Sequence, residues 1–244
     1  MIIKPKYLVI SDIHNRVNTA QSIIDSVEHD FVIFLGDYFD AWDDNASDAY
    51  ITARWLKRSL QNPSHIHMMG NHDIAYRYSH EMQDIDCPGW TQEKQIRINE
   101  VLTPDDWSNI KFYHRIDNWM FLHAGLHKRY FEHPIDGFSL AYVEEVCLDA
   151  KAYASMRMSH PIFSYGGRMG YNYPGGIFWL HWPDFDIIEG VNQVVGHTLD
   201  LMPRTLHFGD SKNYCIDTGL THYGIFQDGK FDVFVTRTNK KLKL

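Results

Sequence analysis

The chain has 244 residues, 44% of them hydrophobic and 22% charged, with a formal net charge of −8 and a pI near 6.0. That length can bury one large core and is short for two full domains, while the acidic balance argues against a broad surface for nucleic acid. Three widely spaced cysteines without a paired motif, no signal-type N-terminal segment and no apolar run of membrane-spanning length point to a reducing, cytoplasmic setting. A small anionic substrate stays compatible with the charge, because bound cations reverse the local field.

Tyr7-Leu8-Val9-Ile10 is a compact apolar run that stops at polar Ser11-Asp12, and a helix is predicted over 17–28. Residues 31–35 repeat the device before Gly36-Asp37. A second helix is expected over Ala46–Leu60, broken by Pro63, with Asp43, Asp44 and Asp48 as its solvated acidic start. A third strand over 65–69 leads into Gly70-Asn71-His72-Asp73. Buried strands alternating with helices predict an α/β fold with working loops at the carboxyl ends of the strands.

Further along, 92–102 and 140–156 read as helices and Trp119–Leu122 as a strand entering His123. Residues 158–183 are rich in Gly, Pro, Tyr and Trp and are expected to form a substrate-facing insert within a single domain. The end of the chain turns to strands: 191–195 leads to Gly196-His197, 214–217 follows, and 223–235 carries Gln227-Asp228-Gly229 as a hairpin turn.

The strand ends share one chemistry. Asp12 and His14, Asp37, Asn71, His123 and His197 form a hard-to-borderline oxygen and nitrogen set suited to two divalent metals. Such a pair neutralises phosphoryl oxygens and acidifies a bound water, so that hydroxide is available near neutrality for attack on phosphorus. Asp37 is the candidate bridging ligand. Asp12 and His14, two apart in extended chain, can face one ion, and Asn71, His123 and His197 the other. Asn71 binds without adding negative charge to a site for anions. In extended chain His72 points away from its neighbour Asn71, which leaves it off the metals as a proton donor. Asp40 is its expected carboxylate partner, and Asp73 the alternative.

Asp12-Ile13-His14, Gly36-Asp37-Tyr38-Phe39-Asp40, Gly70-Asn71-His72-Asp73, Phe121-Leu122-His123-Ala124-Gly125-Leu126 and Val194-Val195-Gly196-His197-Thr198 occur in that order. With Cys215-Ile216-Asp217-Thr218-Gly219, they resemble the calcineurin-like metallophosphoesterase superfamily. The similarity is to its branch of Ser/Thr phosphoprotein phosphatases and symmetrical diadenosine tetraphosphatases. The resemblance implies a central pair of mixed β-sheets flanked by helices and a dinuclear centre of Mn first, or Fe or Zn. It also implies a proton-donating His72 paired with Asp40. Nuclease and phosphodiesterase branches carry Gly-His-x-His, whereas this chain has Gly196-His197-Thr198-Leu199, which favours the phosphatase-like branch.

Two departures bear on substrate. Ala41-Trp42 stands where phosphoprotein phosphatases have Arg-Gly, and Trp179-Leu180-His181 replaces the Trp-x-Arg of bacterial relatives. Phosphate contacts are therefore sought at Arg168, Arg157 and His181, and Trp42 is available to stack on a base or other flat group. The expected activity is hydrolysis of a phosphomonoester, on a small phosphorylated substrate or a phosphopeptide. The alternatives are hydrolysis of a nucleotide anhydride or diester, and a metal-binding scaffold without catalysis.

Overall fold

Three parallel strands carry the first three loops of the site in the computed structural model, which describes residues 4–78, 85, 87–133, 136–170 and 172–244, without the side chains of 168 and 169. They are β1 (Tyr7–Ile10), β2 (Phe31–Phe34) and β3 (His65–His67), linked by α1 (Val17–Ser26) and α2 (Ala46–Leu60). After β3 come α3 (Asn71–Tyr78), α4 (Gln92–Asn99) and α5 (Pro104–Ser108), then the antiparallel pair β4 (Tyr113–Ile116) and β5 (Trp119–Leu122). A short α6 (Lys128–Phe131) and the ribbon of β6 (Glu132–His133) and β7 (Gly137–Phe138) precede α7 (Leu140–Ser155). The chain ends in β8 (Asn192–Val195), β9 (Arg204–Phe208), β10 (Ser211–Cys215), β11 (His222–Gln227), β12 (Lys230–Val235) and β13 (Lys240–Lys241).

These strands make two larger sheets, in the orders β13-β12-β11-β1-β2-β3 and β4-β5-β8-β10-β9. Both are mixed: β1 runs parallel to β2 and antiparallel to β11, and β8 runs parallel to β5 and β10 while β9 is antiparallel to β10.

Period-two alternation sets the layers. Val9 and Ile33 pack with Trp119, Phe121, Val194 and Phe226 in one apolar cluster between the sheets. Their neighbours Leu8, Ile10, Val32 and Phe34 belong to a second cluster, with Ile23 of α1 and Ala49, Ala53 and Leu56 of α2. Met120 and Leu122 turn away from the sheet interface into that second cluster, which also takes in Val143, Cys147 and Ala150 of α7. The order is helix, sheet, sheet, helix, as the resemblance implied. A strand buried on both faces reads as a continuous apolar run, which is why Tyr7-Leu8-Val9-Ile10 and Trp119–Leu122 show no polar alternation. Each fully buried Leu, Ile or Phe contributes about 1.5–3 kcal/mol.

Several boundaries differ from expectation. Helix α1 ends at Ser26, where Val27 is extended; α4 stops at Asn99 and α7 at Ser155. The hairpin between β11 and β12 turns on Asp228-Gly229, with φ of 52° and 73°, the left-handed pair that a two-residue turn requires. Residues 158–183 contain short 3-10 turns at Pro161–Phe163 and Gly166–Met169 and bury Ile162, Phe163, Ile177, Phe178 and Leu180 in the core. Asn71 and His72 open helix α3 and are not in extended chain, so helical rotation separates their side chains. Asp48 caps α2 through Asn45, but Asp44 departs from the solvated acidic start: its side chain is 6% exposed and pairs with Lys94. No helix among the described residues is long and apolar enough to cross a membrane.

Candidate metal centre

Hydrogen bonds to and from the backbone tie five loops together. Ile13 and His14 donate their N–H groups to the carbonyl of Asp37 at 2.9 and 2.8 Å. Asp73 sits fully buried behind this junction: its Oδ2 accepts from the N–H of Asp37 at 2.7 Å and of Gly70 at 2.8 Å, and its Oδ1 from that of Tyr38 at 2.9 Å. His72 N–H donates to Asp37 Oδ1 at 2.9 Å. Asp12 accepts the N–H of His197 on both carboxylate oxygens, at 3.1 and 2.9 Å. His123 Nδ1 bonds the Leu35 carbonyl at 3.0 Å.

This crossing leaves no room for side chains at two glycines. A Cβ on Gly36, which has φ of 103°, would lie 2.6 Å from the nitrogen of Gly70, and a Cβ on Gly70 would lie 2.1 Å from Asp37 Oδ1. The chain also bends where extended structure was expected: His14 and Asn15 have φ of 43° and 60°, so Asp12 and His14 are presented by a turn.

Five of the six expected ligands gather around shared atoms. Asn71 Oδ1 lies 2.9 Å from His123 Nε2 and 2.8 Å from His197 Nδ1, and those two nitrogens are 3.1 Å apart. His123 Nε2 is 3.4 Å and His14 Nε2 3.7 Å from Asp37 Oδ2. Two candidate metal groups result, His14–Asp37–His72 and Asp37–His123–His197, with Asp37 in both. Asp12, the sixth, is buried beside them and feels the charges of Asp217 and Asp37.

The donor set can be tested against a cation. The Leu35 carbonyl can only accept, so His123 carries its proton on Nδ1 and turns the Nε2 lone pair inward. Burial holds the His123 pKa below its ordinary value, which keeps that ring neutral. Asn71 donates its Nδ2 to Cys87 Sγ at 3.1 Å, so its carbonyl oxygen also faces inward. The same logic fixes His14, whose Nδ1 donates to the Phe39 carbonyl at 2.9 Å. Lone pairs therefore point at one another, an arrangement that a positive ion satisfies. Carboxylate repulsion agrees: burial, with Asp217 and Asp37 close by, pushes the Asp12 carboxyl well above the ordinary range. The residues fit divalent cations.

His72 differs from the other histidines here. Its Nδ1 donates to Asp40 Oδ2 at 2.9 Å, while the oxygens of Asp73 accept from three backbone N–H groups. Burial opposes protonation of His72, but the charge of Asp37 and the bond to Asp40 outweigh it and raise its pKa well above 6.5. The ring stands at 5.2 Å from that of His14 in an edge-on contact.

The expected substrate contacts are more scattered. The side chain of Arg168 lies outside the described residues. Arg157 is exposed in a left-handed turn after α7, with φ of 60°. His181 is half-buried next to Trp182, whose N–H donates to Thr198 Oγ1 at 3.1 Å, beside His197. Trp179 meets the His197 ring edge-on at 5.8 Å. Reading the sequence alone did not single out Tyr76, Cys87 or Lys94, which touch Asp40, Asn71 or His72 from positions with no local motif.

The comparisons with known proteins bear on this arrangement. A family model described as calcineurin-like phosphoesterase matches residues 5–200. The chain belongs to that family. It is accordingly a metal-dependent phosphoric ester hydrolase, with the His and Asp groups above as candidate ligands. The fold is similar to that of a cold-active protein-tyrosine phosphatase of a psychrophile, Shewanella sp., with a TM-score of 0.62 and 14% identity over 98% of this chain and 80% of that one. A second structure of a cold-active protein tyrosine phosphatase gives 0.63 and 14% over 98% and 79%. At this identity the likeness concerns the fold. No curated protein sequence matches the chain.

Proposed function

We propose that this phosphoesterase is a dinuclear phosphomonoesterase. Asp12, His14 and Asp37 would hold one divalent ion, and Asp37, Asn71, His123 and His197 the other. The mixed oxygen and imidazole set suits divalent first-row metals, and the family resemblance puts Mn first, with Fe or Zn next. When bound, the ions neutralise phosphoryl oxygens and acidify water. The observation that carries the reading is Asp37, one carboxylate whose oxygen lies close both to His14 and His72 and to His123 and His197.

The chain's own residues supply the rest. Asp73 and the two glycines fix the loops so that the ligands are placed before substrate arrives. His72, protonated and braced on Asp40, gives its proton to the leaving oxygen. The substrate is a small phosphorylated molecule or a phosphopeptide. The setting is cytoplasmic, which the three free, buried cysteines support.

The nucleotide-type alternative has one observation in its favour. Trp42 is fully exposed two residues after Asp40, where it could meet a planar leaving group. A single panel separates the readings: p-nitrophenyl phosphate, its bis-ester, an alkyl phosphate and a dinucleoside polyphosphate, with wild type and His72→Ala. Wild type is expected to favour the monoesters. The variant should lose roughly 10²-fold on the alkyl ester, whose leaving group needs a proton, and far less on p-nitrophenyl phosphate. Undiminished alkyl turnover removes His72 from the mechanism, and preference for the bis-ester or polyphosphate replaces the monoester assignment.

A further inference from the structure

Asp40 is the point at which the proton donor is anchored, and its second oxygen is held from another part of the chain. While Oδ2 accepts from His72, Oδ1 accepts from the Tyr76 hydroxyl at 2.6 Å and from Lys94 Nζ at 3.0 Å. Lys94 reaches in from α4, 54 residues further along. Its side chain is 6% exposed, and the ammonium also donates to Asp44 Oδ1 and to the Gly89 carbonyl at 2.9 Å. Three protons meet three acceptors, which is what a lysine buried this deeply requires. Asp44 in turn accepts from Asn15 Nδ2 at 2.6 Å, next to His14.

This geometry has a consequence for the dyad. A carboxylate bonded on one oxygen alone can swing about its terminal torsion, and a histidine braced on it swings too. Bonds to both oxygens remove that freedom. The backbone of Asp40 also has φ of 63°, a left-handed conformation that the surrounding bonds must maintain.

We propose that Lys94, assisted by Tyr76, is a positioning residue of the reaction: by fixing Oδ1 of Asp40 it aims Oδ2 at His72 and aligns His72 as the proton donor. The proposal rests on His72 protonating the leaving oxygen. Lys94 grips both Asp40 and Asp44, so it also fixes the ends of the segment that carries Trp42.

The test is leaving-group dependence, which a structural role alone would not move. Lys94→Met and Tyr76→Phe are compared with wild type on an alkyl phosphate and p-nitrophenyl phosphate, alone and combined with His72→Ala. Lys94→Met is expected to lower kcat on the alkyl ester about 10-fold or more, with KM unchanged and a much smaller loss on p-nitrophenyl phosphate. It should add nothing further once His72 is gone. Tyr76→Phe, which removes only a hydroxyl, should show the same selectivity at lower amplitude, and it decides the matter if Lys94→Met does not fold. Equal losses on both esters, or losses that multiply with His72→Ala, overturn the proposal. If His72→Ala itself lacks the selectivity, the donor assignment falls and the proposal with it; selectivity in His72→Ala alone removes only the proposal.

Discussion

Asp37→Asn is expected to lower kcat/KM on the order of 10³-fold, several kcal/mol of lost transition-state stabilisation, and to reduce bound metal. The expectation follows from what each oxygen of Asp37 faces. Oδ1 accepts the His72 N–H at 2.9 Å, a role an amide oxygen can keep, so the loop and the overall fold should survive. Oδ2 lies 3.4 Å from His123 Nε2 and 3.7 Å from His14 Nε2, at the seam between the two ligand groups. An amide there presents N–H donors and no charge to a position that must attract cations. Steady-state kinetics, metal analysis and circular dichroism on the same preparation check all three points. Near-wild-type turnover with undiminished metal would show that Asp37 is not the shared ligand.

Gly70→Ala is expected to be nearly as damaging by a different route. The added methyl would lie 2.1 Å from Asp37 Oδ1 and 2.5 Å from Asp37 N, against backbone as well as side chain. Overpacking of this kind destabilises by about 1–3 kcal/mol, and displacement of the ligand by an ångström costs on the order of 10²-fold in rate. Thermal unfolding and kcat/KM should therefore both fall, unlike Asp37→Asn, where rate falls and the fold holds. A fully active, equally stable variant would mean that the two loops do not cross as described.

The two predictions rest on residues that the sequence made legible to different degrees. The strands under the site announce themselves because a strand buried on both faces has to be apolar throughout, as in Tyr7-Leu8-Val9-Ile10 and Trp119–Leu122. Asp12, His14, Asp37, Asn71, His123 and His197 stand where such runs give way to polar residues, and that junction is visible without coordinates. The start of α3 at Asn71 was hidden, since eight residues beginning Asn-His-Asp carry little helical periodicity. Asp73 looked like a second candidate for His72 because local spacing cannot say that three backbone N–H groups already claim it. Asp44 read as part of a solvated helix start and no motif marked Lys94; their pairing spans 50 residues and depends on where α4 lands beside α2. Edge strands β4 and β9 were missed for a related reason, being only partly buried and mixed in character.

Everything proposed for the chemistry depends on cations held between the converging loops. The most direct test is metal content measured on active, freshly purified protein, followed through chelation and re-addition of manganese. Close to two divalent ions per chain are expected, with turnover that disappears as they are stripped and recovers as they return. Full turnover by protein stripped of metal would contradict this dependence on cations.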